Sequence, residues 1–416
     1  MNELNTTECE HFVEDLLLIM YDYTLHNLQL FSREDYDIMF TKYIDEYVDE
    51  IIKMIRETAH SDEISKEELG VLINYTINIF YEICIPPRSF HNTYILKQRT
   101  EDDIKIISNR IDYLRKLPQP QQRTTEWYMF RNNLITASNA YKIFDTDASR
   151  NQLIYEKCFA YNEKVMIVPE ETESFKHVNV VSPMHWGQKY ESVSIMIYED
   201  LYQTKIEEFG CIRHEKYSFL GASPDGINSD ETSDRYGRLI EIKNVVSREI
   251  TGIPKLEYWI QMQLQMETCD LNECDFLETK FVEYETEKEY LNDICQYKGV
   301  IMYFSYKNGT PKYIYKPLHL EDELWEETMM TIYQEQGLIW IKNIYWKLDV
   351  ISCVLVLRNN LWFEYVICEI RNFWKIIEHE REHGFNHRKA KKRIKRVQEE
   401  EVKCLIQLQD LHNGQL

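Results

Sequence analysis

Ser223-Pro224-Asp225-Gly226, followed by Leu239-Ile240-Glu241-Ile242-Lys243, is the stretch whose reading decides the fold. The second segment has strand character, and a strand repeats every two residues. Glu241 and Lys243 therefore share one face. Ile242 points the other way, into the core, while its backbone carbonyl can still face a metal. Asp225 stands at the end of a preceding strand, after a Pro and before a permissive Gly. A hairpin through Asp230 to Gly237 brings Asp225 beside Glu241. Two carboxylates and a lysine then meet at one sheet edge. On its own this pattern fits a strand-borne salt bridge at least as well as a site.

Working outward, strands are expected at about Ile206 to Arg213, Ser218 to Ala222, Arg238 to Lys243 and Asp275 to Tyr284. A helix is expected at about Leu256 to Glu267, and another through Trp186 to Tyr198. Thr125 to Phe130 reads as a short helix, and Thr136-Ala137-Ser138 caps one that runs through Ala140, Ile143 and Phe144. The pattern is α/β (α+β), with a mixed central sheet flanked by helices.

Residues 1–117 read as an acidic helical domain. Tyr43, Ile44, Tyr47, Val48, Ile51, Ile52 and Ile55 recur at helical spacing. Ser65 and Glu68 form a capping-box pattern, Pro86-Pro87 ends that helix, and Ile104, Ile107, Ile111 and Leu114 mark the next. Leu117 to Gln122 reads as a linker. The central domain is expected over 118–321. A helical C-terminal extension is expected over 322–416, with a basic run from Arg388 to Arg396. That run suits a phosphate backbone, a nuclear localisation signal or a solvated helix, and these readings stay open.

The formal net charge is −22, and residues 1–60 alone carry 14 Asp/Glu against 4 Lys/Arg. Net charge bears on solubility and steering rather than fold, so a local basic surface elsewhere can still meet an anionic polymer. The ten cysteines include no CxxC pair, which argues against a zinc ribbon or an iron–sulfur cluster and fits free thiols in a reducing compartment. No signal-peptide pattern opens the chain, and Val350 to Leu357 is too short to span a bilayer. The expected location is intracellular, without membrane association. His379-Glu380-Arg381-Glu382-His383 has HExxH spacing, but charged residues fill its x positions and Gly384 follows. It reads as an exposed helix end rather than a zinc site.

Phosphodiester hydrolysis needs divalent metals, oxygen ligands to hold them, and a cation to offset developing charge. Asp225, Glu241 and Lys243 are of those types, and magnesium favours a few carboxylates plus water. Four motifs accompany them in order. Gln122-Arg123-Thr124-Thr125-Glu126-Trp127 leads to Arg131 and Ile135-Thr136-Ala137-Ser138. Trp186-Gly187-Gln188-Lys189-Tyr190-Glu191 is second. The Asp225 to Lys243 stretch is third, and Tyr258-Trp259-Ile260-Gln261-Met262-Gln263 is fourth.

In these motifs, over roughly residues 121 to 285, the chain resembles the lambda-exonuclease family, including the YqaJ-like viral recombinases. The resemblance implies a PD-(D/E)xK nuclease core. It implies that Asp225, Glu241, the Ile242 carbonyl and Glu191 hold metal, and that Lys243 orients the nucleophile. Arg131 and Ser138 would grip a terminal 5′-phosphate, with Ser223, Gln261 and Arg248 contacting phosphate or the active site. Arg248 stands one place earlier than the family's arginine, and Asn244-Val245-Val246 replace the Pro or Cys often found after the lysine. The implied activity is a Mg²⁺-dependent 5′→3′ DNA exonuclease with two ions, Mn²⁺ substituting. It would act on double-stranded DNA ends in recombination, replication or repair in a large DNA virus, beside a single-strand annealing protein. The implied assembly is a monomer or a trimer. A structure-specific endonuclease and a catalytically silent interaction protein are the alternatives.

Overall fold

The computed structural model describes residues 6–59, 66–90, 99–120, 124–162 and 178–390. Ser65, Gln122, Arg123 and most of the basic run, 391–396, lie outside them. Four helices come first: α1 (Thr6–His26), α2 (Tyr36–Ala59), α3 (Lys66–Ile83) and α4 (Glu101–Lys116). Then follow α5 (Thr125–Asn132), β1 (Ile135–Thr136), α6 (Ala137–Ala140), α7 (Asp147–Asn162) and α8 (Pro183–Tyr202). Strands dominate next: β2 (Ile206–Glu207), β3 (Ile212–Arg213), β4 (Leu220–Ala222), β5 (Gly226–Asn228) and β6 (Leu239–Asn244). Helix α9 (Leu256–Cys269) precedes β7 (Glu273–Glu283), α10 (Glu287–Asn292), β8 (Lys298–Ser305) and β9 (Pro311–Tyr315). The order ends with α11 (Trp325–Glu335), β10 (Ile339–Leu357) and α12 (Asn360–His383).

A seven-stranded sheet runs β2-β5-β6-β7-β10-β8-β9, and a small sheet runs β1-β4-β3. β6 and β7 are parallel, whereas β5–β6 and β7–β10 are antiparallel. The large sheet is therefore mixed and flanked by helices, the α/β arrangement expected from the sequence.

Two expectations are corrected. The segment from Ile206 to Arg213 is not one strand. Ile206 and Glu207 pair with β5 in the large sheet, whereas Ile212 and Arg213 pair with β4 in the small one. Gly210 makes the crossing possible. Its N–H donates to Gln119 Oε1 at 2.7 Å, and a Cβ there would lie 3.0 Å from both Gln119 Cβ and the Pro120 carbonyl. The second correction concerns the tail. The region after 321 is not all helical, because Ile339 to Leu357 form an interior strand of the sheet, paired with β7 on one side and β8 on the other. Apolar residues such as Val354 and Val356 are buried there, and the β-branched run Val350 to Leu357 supplies the strand propensity.

Helix α9 is the hub of the core. Trp259 is 1% exposed, lies 5.7 Å from the Phe31 ring and 5.0 Å from the Trp362 ring, and donates its indole N–H to the Arg88 carbonyl. Through it the N-terminal helices, with Phe40 and Phe80, join the same apolar cluster as α12. In α12 the buried Trp362, Val366, Phe373 and Ile377 recur at helical spacing, so that one face covers α7 and α9. The helix that carries Gln261 is thus held from both ends of the chain.

Candidate active site

The two faces of β6 divide the work. Ile240 and Ile242 pack with Tyr198 on the α8 side, and Asn244 on the same face donates to the Gly187 carbonyl at 2.8 Å. Ser194 and Thr279 hydroxyls both donate to Asn244 Oδ1 at 2.7 Å. The residue that departs from the family pattern therefore ties β6 to the first turns of α8. Glu241 and Lys243 lie on the opposite face, toward α9, as strand alternation requires. They are in contact with each other, and the Lys243 ammonium also sits 4.7 Å from the Tyr258 ring centre.

Asp225 arrives from the other direction. It precedes β5, whose Gly226 pairs with Ile240. Gly226 is required by close approach, since a Cβ would fall 2.2 Å from Ile206 Cγ2 on β2. The hairpin closes through Gly237, at φ +80, whose N–H donates to the Asn228 carbonyl at 2.9 Å. Asp225 is the residue before the start of β5, next to Glu241 across the pair. Its Oδ2 accepts the Ile242 N–H at 2.7 Å. A strand residue directs its N–H and C=O to the same side. The Ile242 carbonyl is thereby aimed at the edge that Asp225 occupies.

The electrostatics are unbalanced. Burial first, and the Glu241 charge second, push the Asp225 carboxyl well above the usual carboxylate range; the Lys243 charge works against this, and Glu191 adds to it. Burial alone would lower the Lys243 ammonium, but Glu241 and Asp225 outweigh it and leave that group raised. Two neighbouring carboxylates share one ammonium, a shortage of positive charge that a divalent cation would relieve. Hard oxygen donors fit magnesium rather than a soft metal. Among the described residues no three His, Cys, Asp or Glu side chains yet converge tightly enough to enclose an ion. The carboxylates are turned instead to Ile242 N–H, Lys243 and Gln265.

A cavity of about 590 Å³ gathers Glu191, Asp225, Glu241, Ile242, Lys243, Arg248, Gln261 and Ser138. Gln261 lines it. A second cavity, of about 580 Å³, opens on the other side of α8 and shares Gln188 and Glu191 with the first. Arg131, at the end of α5, donates to Ser138 Oγ and to Ser223 Oγ, both at 3.3 Å. Its guanidinium also lies 4.3 Å from the Trp127 ring centre. Arg248 reaches the cavity, but its guanidinium is paired with the buried carboxylate of Glu278 on β7.

Sequence reasoning missed Gln265. It is fully buried one turn beyond Gln261, and its Nε2 donates to Glu241 Oε2 at 2.7 Å and to the Ser223 carbonyl at 3.4 Å. Its Oε1 is buried with no hydrogen-bond partner. The i,i+4 spacing from Gln261 was the available signal. Gln263, between them, faces away and bonds the Leu357 carbonyl and the Asn359 N–H. At the HExxH spacing, His379 and His383 are exposed and stack at 4.1 Å, while Glu380 is paired with Arg388.

Comparison with known proteins bears on this same segment. The family model described as "YqaJ-like viral recombinase domain" matches residues 126–272. Uncharacterized protein R354 of Acanthamoeba polyphaga mimivirus is 28% identical over 342 residues, or 70% of this chain. The chain spans 59% of that relative's length. Among solved structures, the alkaline exonuclease LHK-Exo from Laribacter hongkongensis is 20% identical, covering 62% of this chain and 95% of that one with a TM-score of 0.38. LHK-Exo in complex with dAMP is 21% identical over the same shares, with a TM-score of 0.37. The family resemblance carried by the sequence motifs is thus met in the segment 126–272, which holds Arg131, Ser138, Glu191, Asp225, Glu241, Lys243 and Gln261, and over which the chain is similar to the YqaJ-like viral recombinase domain.

Proposed function

We propose that the protein is a magnesium-dependent DNA nuclease, and specifically a 5′→3′ exonuclease that digests duplex ends. The observation that carries this reading is the side-by-side placement of Asp225 and Glu241, with the Lys243 ammonium paired to Glu241 and its charge acting on Asp225. Asp225, Glu241, the Ile242 carbonyl and Glu191 would hold two Mg²⁺ ions, with Mn²⁺ able to substitute. Ions bound there would polarise the scissile phosphate and lower the pKa of the attacking water. Lys243 would orient that water and offset charge on the phosphate as the bond breaks. Gln261 and Arg248, on the wall of the same cavity, would contact the strand being cut.

The direction of digestion rests on Arg131, Ser138 and Ser223. A forked guanidinium between two hydroxyls suits a terminal phosphate monoester. Similarity to a viral recombinase domain supports a role in recombination or repair of viral DNA, with a single-strand annealing protein as partner.

The test uses 5′-phosphorylated linear duplex and closed circular duplex of the same sequence, each with magnesium. Release of mononucleotides from the linear form alone is the expected result. Cutting of the closed circle would replace the exonuclease by an endonuclease. Equal rates for wild type and Glu241→Gln would remove the site.

A further inference from the structure

The end of α5 poses an electrostatic problem. Arg131 is in its last turn, so the carbonyls of that turn carry the negative end of the helix dipole. An anion beside Arg131 meets those carbonyls as well as the guanidinium. Two cations, one buried and one half-buried, sit on them. Lys157, on α7 and 7% exposed, donates from Nζ to the Arg131 carbonyl at 2.8 Å. Arg381, on α12, donates from Nη2 to the Asn132 carbonyl at 2.8 Å and to the Lys157 carbonyl at 3.2 Å. The matched family segment ends at residue 272, so Arg381 comes from outside it.

We propose that Lys157 and Arg381 are positioning residues that turn the carbonyl end of α5 from anion-repelling to anion-accepting, and so set selectivity for a terminal phosphate monoester at Arg131, Ser138 and Ser223. This rests on the phosphate-pocket reading above. Neither residue touches the phosphate; both act through the backbone that carries Arg131.

The charge balance agrees. The groups facing the Lys157 ammonium are Arg131 on α5, Arg381 on α12, the Cys211 thiol before β3 and Glu156 on its own helix. Burial, then the Arg131 and Arg381 charges, pull Lys157 down to about 7. Burial also lowers Arg131 from its usual value. A purely structural contact gains nothing from three cations crowded in this way. A dianionic phosphate supplies the missing negative charge.

Affinity for blunt duplexes ending in 5′-phosphate or 5′-hydroxyl, measured by anisotropy in EDTA, provides the test. The full-length chain is compared with Lys157→Met and Arg381→Gln. The wild type is expected to favour the phosphate end, and each substitution to cut that preference about tenfold, the scale of a buried cation at a helix C-terminus. Affinity for the hydroxyl end stays as it was. The wild-type preference falls as pH rises from 7 to about 9, where Lys157 loses its proton while a phosphate monoester keeps its charge. In Lys157→Met that pH dependence disappears.

Thermal unfolding separates this from a fold brace. A lysine whose folded value lies below its unfolded one of about 10.4 costs stability at low pH and stops costing it as pH rises. Lys157→Met is therefore as stable as wild type or more so at pH 7, and the gap narrows as pH rises, closing only near the unfolded value of about 10.4. A wild type that binds both ends alike overturns the pocket reading and this inference with it. A wild-type preference that survives both substitutions overturns this inference alone.

Discussion

Two charged clusters lie along the same sheet, and they are built in opposite ways. Near the start of β6 and β7, Asp275 pairs with Arg235 and Arg238 and accepts the Tyr198 hydroxyl at 2.6 Å. Glu273 beside it pairs with Arg99 and Arg238. Three guanidiniums thus serve two carboxylates, and Asp275 is 1% exposed. Further along β6, Glu241 pairs with Lys243, whose charge is the one cation acting on Asp225 alongside, and all three open on a cavity. A fully compensated cluster consolidates the sheet. An under-compensated one keeps unmet demand for positive charge, and unmet demand is what a bound ion can satisfy.

The contrast predicts opposite outcomes for the same kind of substitution. The largest effect is expected at the under-compensated cluster. Asp225→Asn and Glu241→Gln should each lower DNA hydrolysis about a thousandfold or more. The sign for stability is reversed. The folded value of Asp225 is raised, so its ionisation costs stability once pH exceeds the unfolded carboxylate value. Asp225→Asn should therefore raise the Tm at pH 7 in EDTA, and this gain should fade as pH falls toward about 4. A drop in Tm would mean that Asp225 is structural and that the contrast is wrong.

Next in size is Asp275→Ala. It leaves the Arg235 guanidinium without its carboxylate and Arg238 with Glu273 alone, at an expected cost of about 3–5 kcal/mol in urea unfolding. Hydrolysis per folded molecule should hold. A catalytic loss at temperatures where the variant stays folded would blur the line between the clusters.

The smallest effect sharpens the picture at Glu241. Gln265→Met removes the amide that bonds Glu241 Oε2 while keeping the volume. A group that orients a metal-binding carboxylate is worth about ten- to a hundredfold in metal affinity. Calorimetric titration with Mn²⁺ reads this without turnover. Unchanged affinity would demote Gln265 to packing.

Much of this arrangement was legible in the chain itself. The two-residue period placed Glu241 and Lys243 on one face, and Gly237 with the polar hairpin residues brought Asp225 alongside. Helix α9 was legible too, but not which of its glutamines faces β6. Gln261, Gln263 and Gln265 are chemically alike, and only the seating of Trp259 against Phe31 and Trp362 sets the rotation of that helix. The place of β10 was hidden for a related reason. Its buried and exposed residues follow the demands of β7, β8 and the helices around it, so its pattern alternates poorly along its length.

The sequence by itself determined the local geometry of the site: a strand with Glu241 and Lys243 two apart, a turn that returns Asp225, and a helix end that carries Arg131. These depend on backbone periods and turn chemistry, which act over a few residues. Only the tertiary structure decided the rest. It assigned Gln265 to Glu241, Asn244 to α8, Glu278 to Arg248, and Lys157 with Arg381 to the carbonyl end of α5. Each of those contacts joins segments far apart in the chain. Packing then fixes where each of these side chains points, and no short-range rule can supply that.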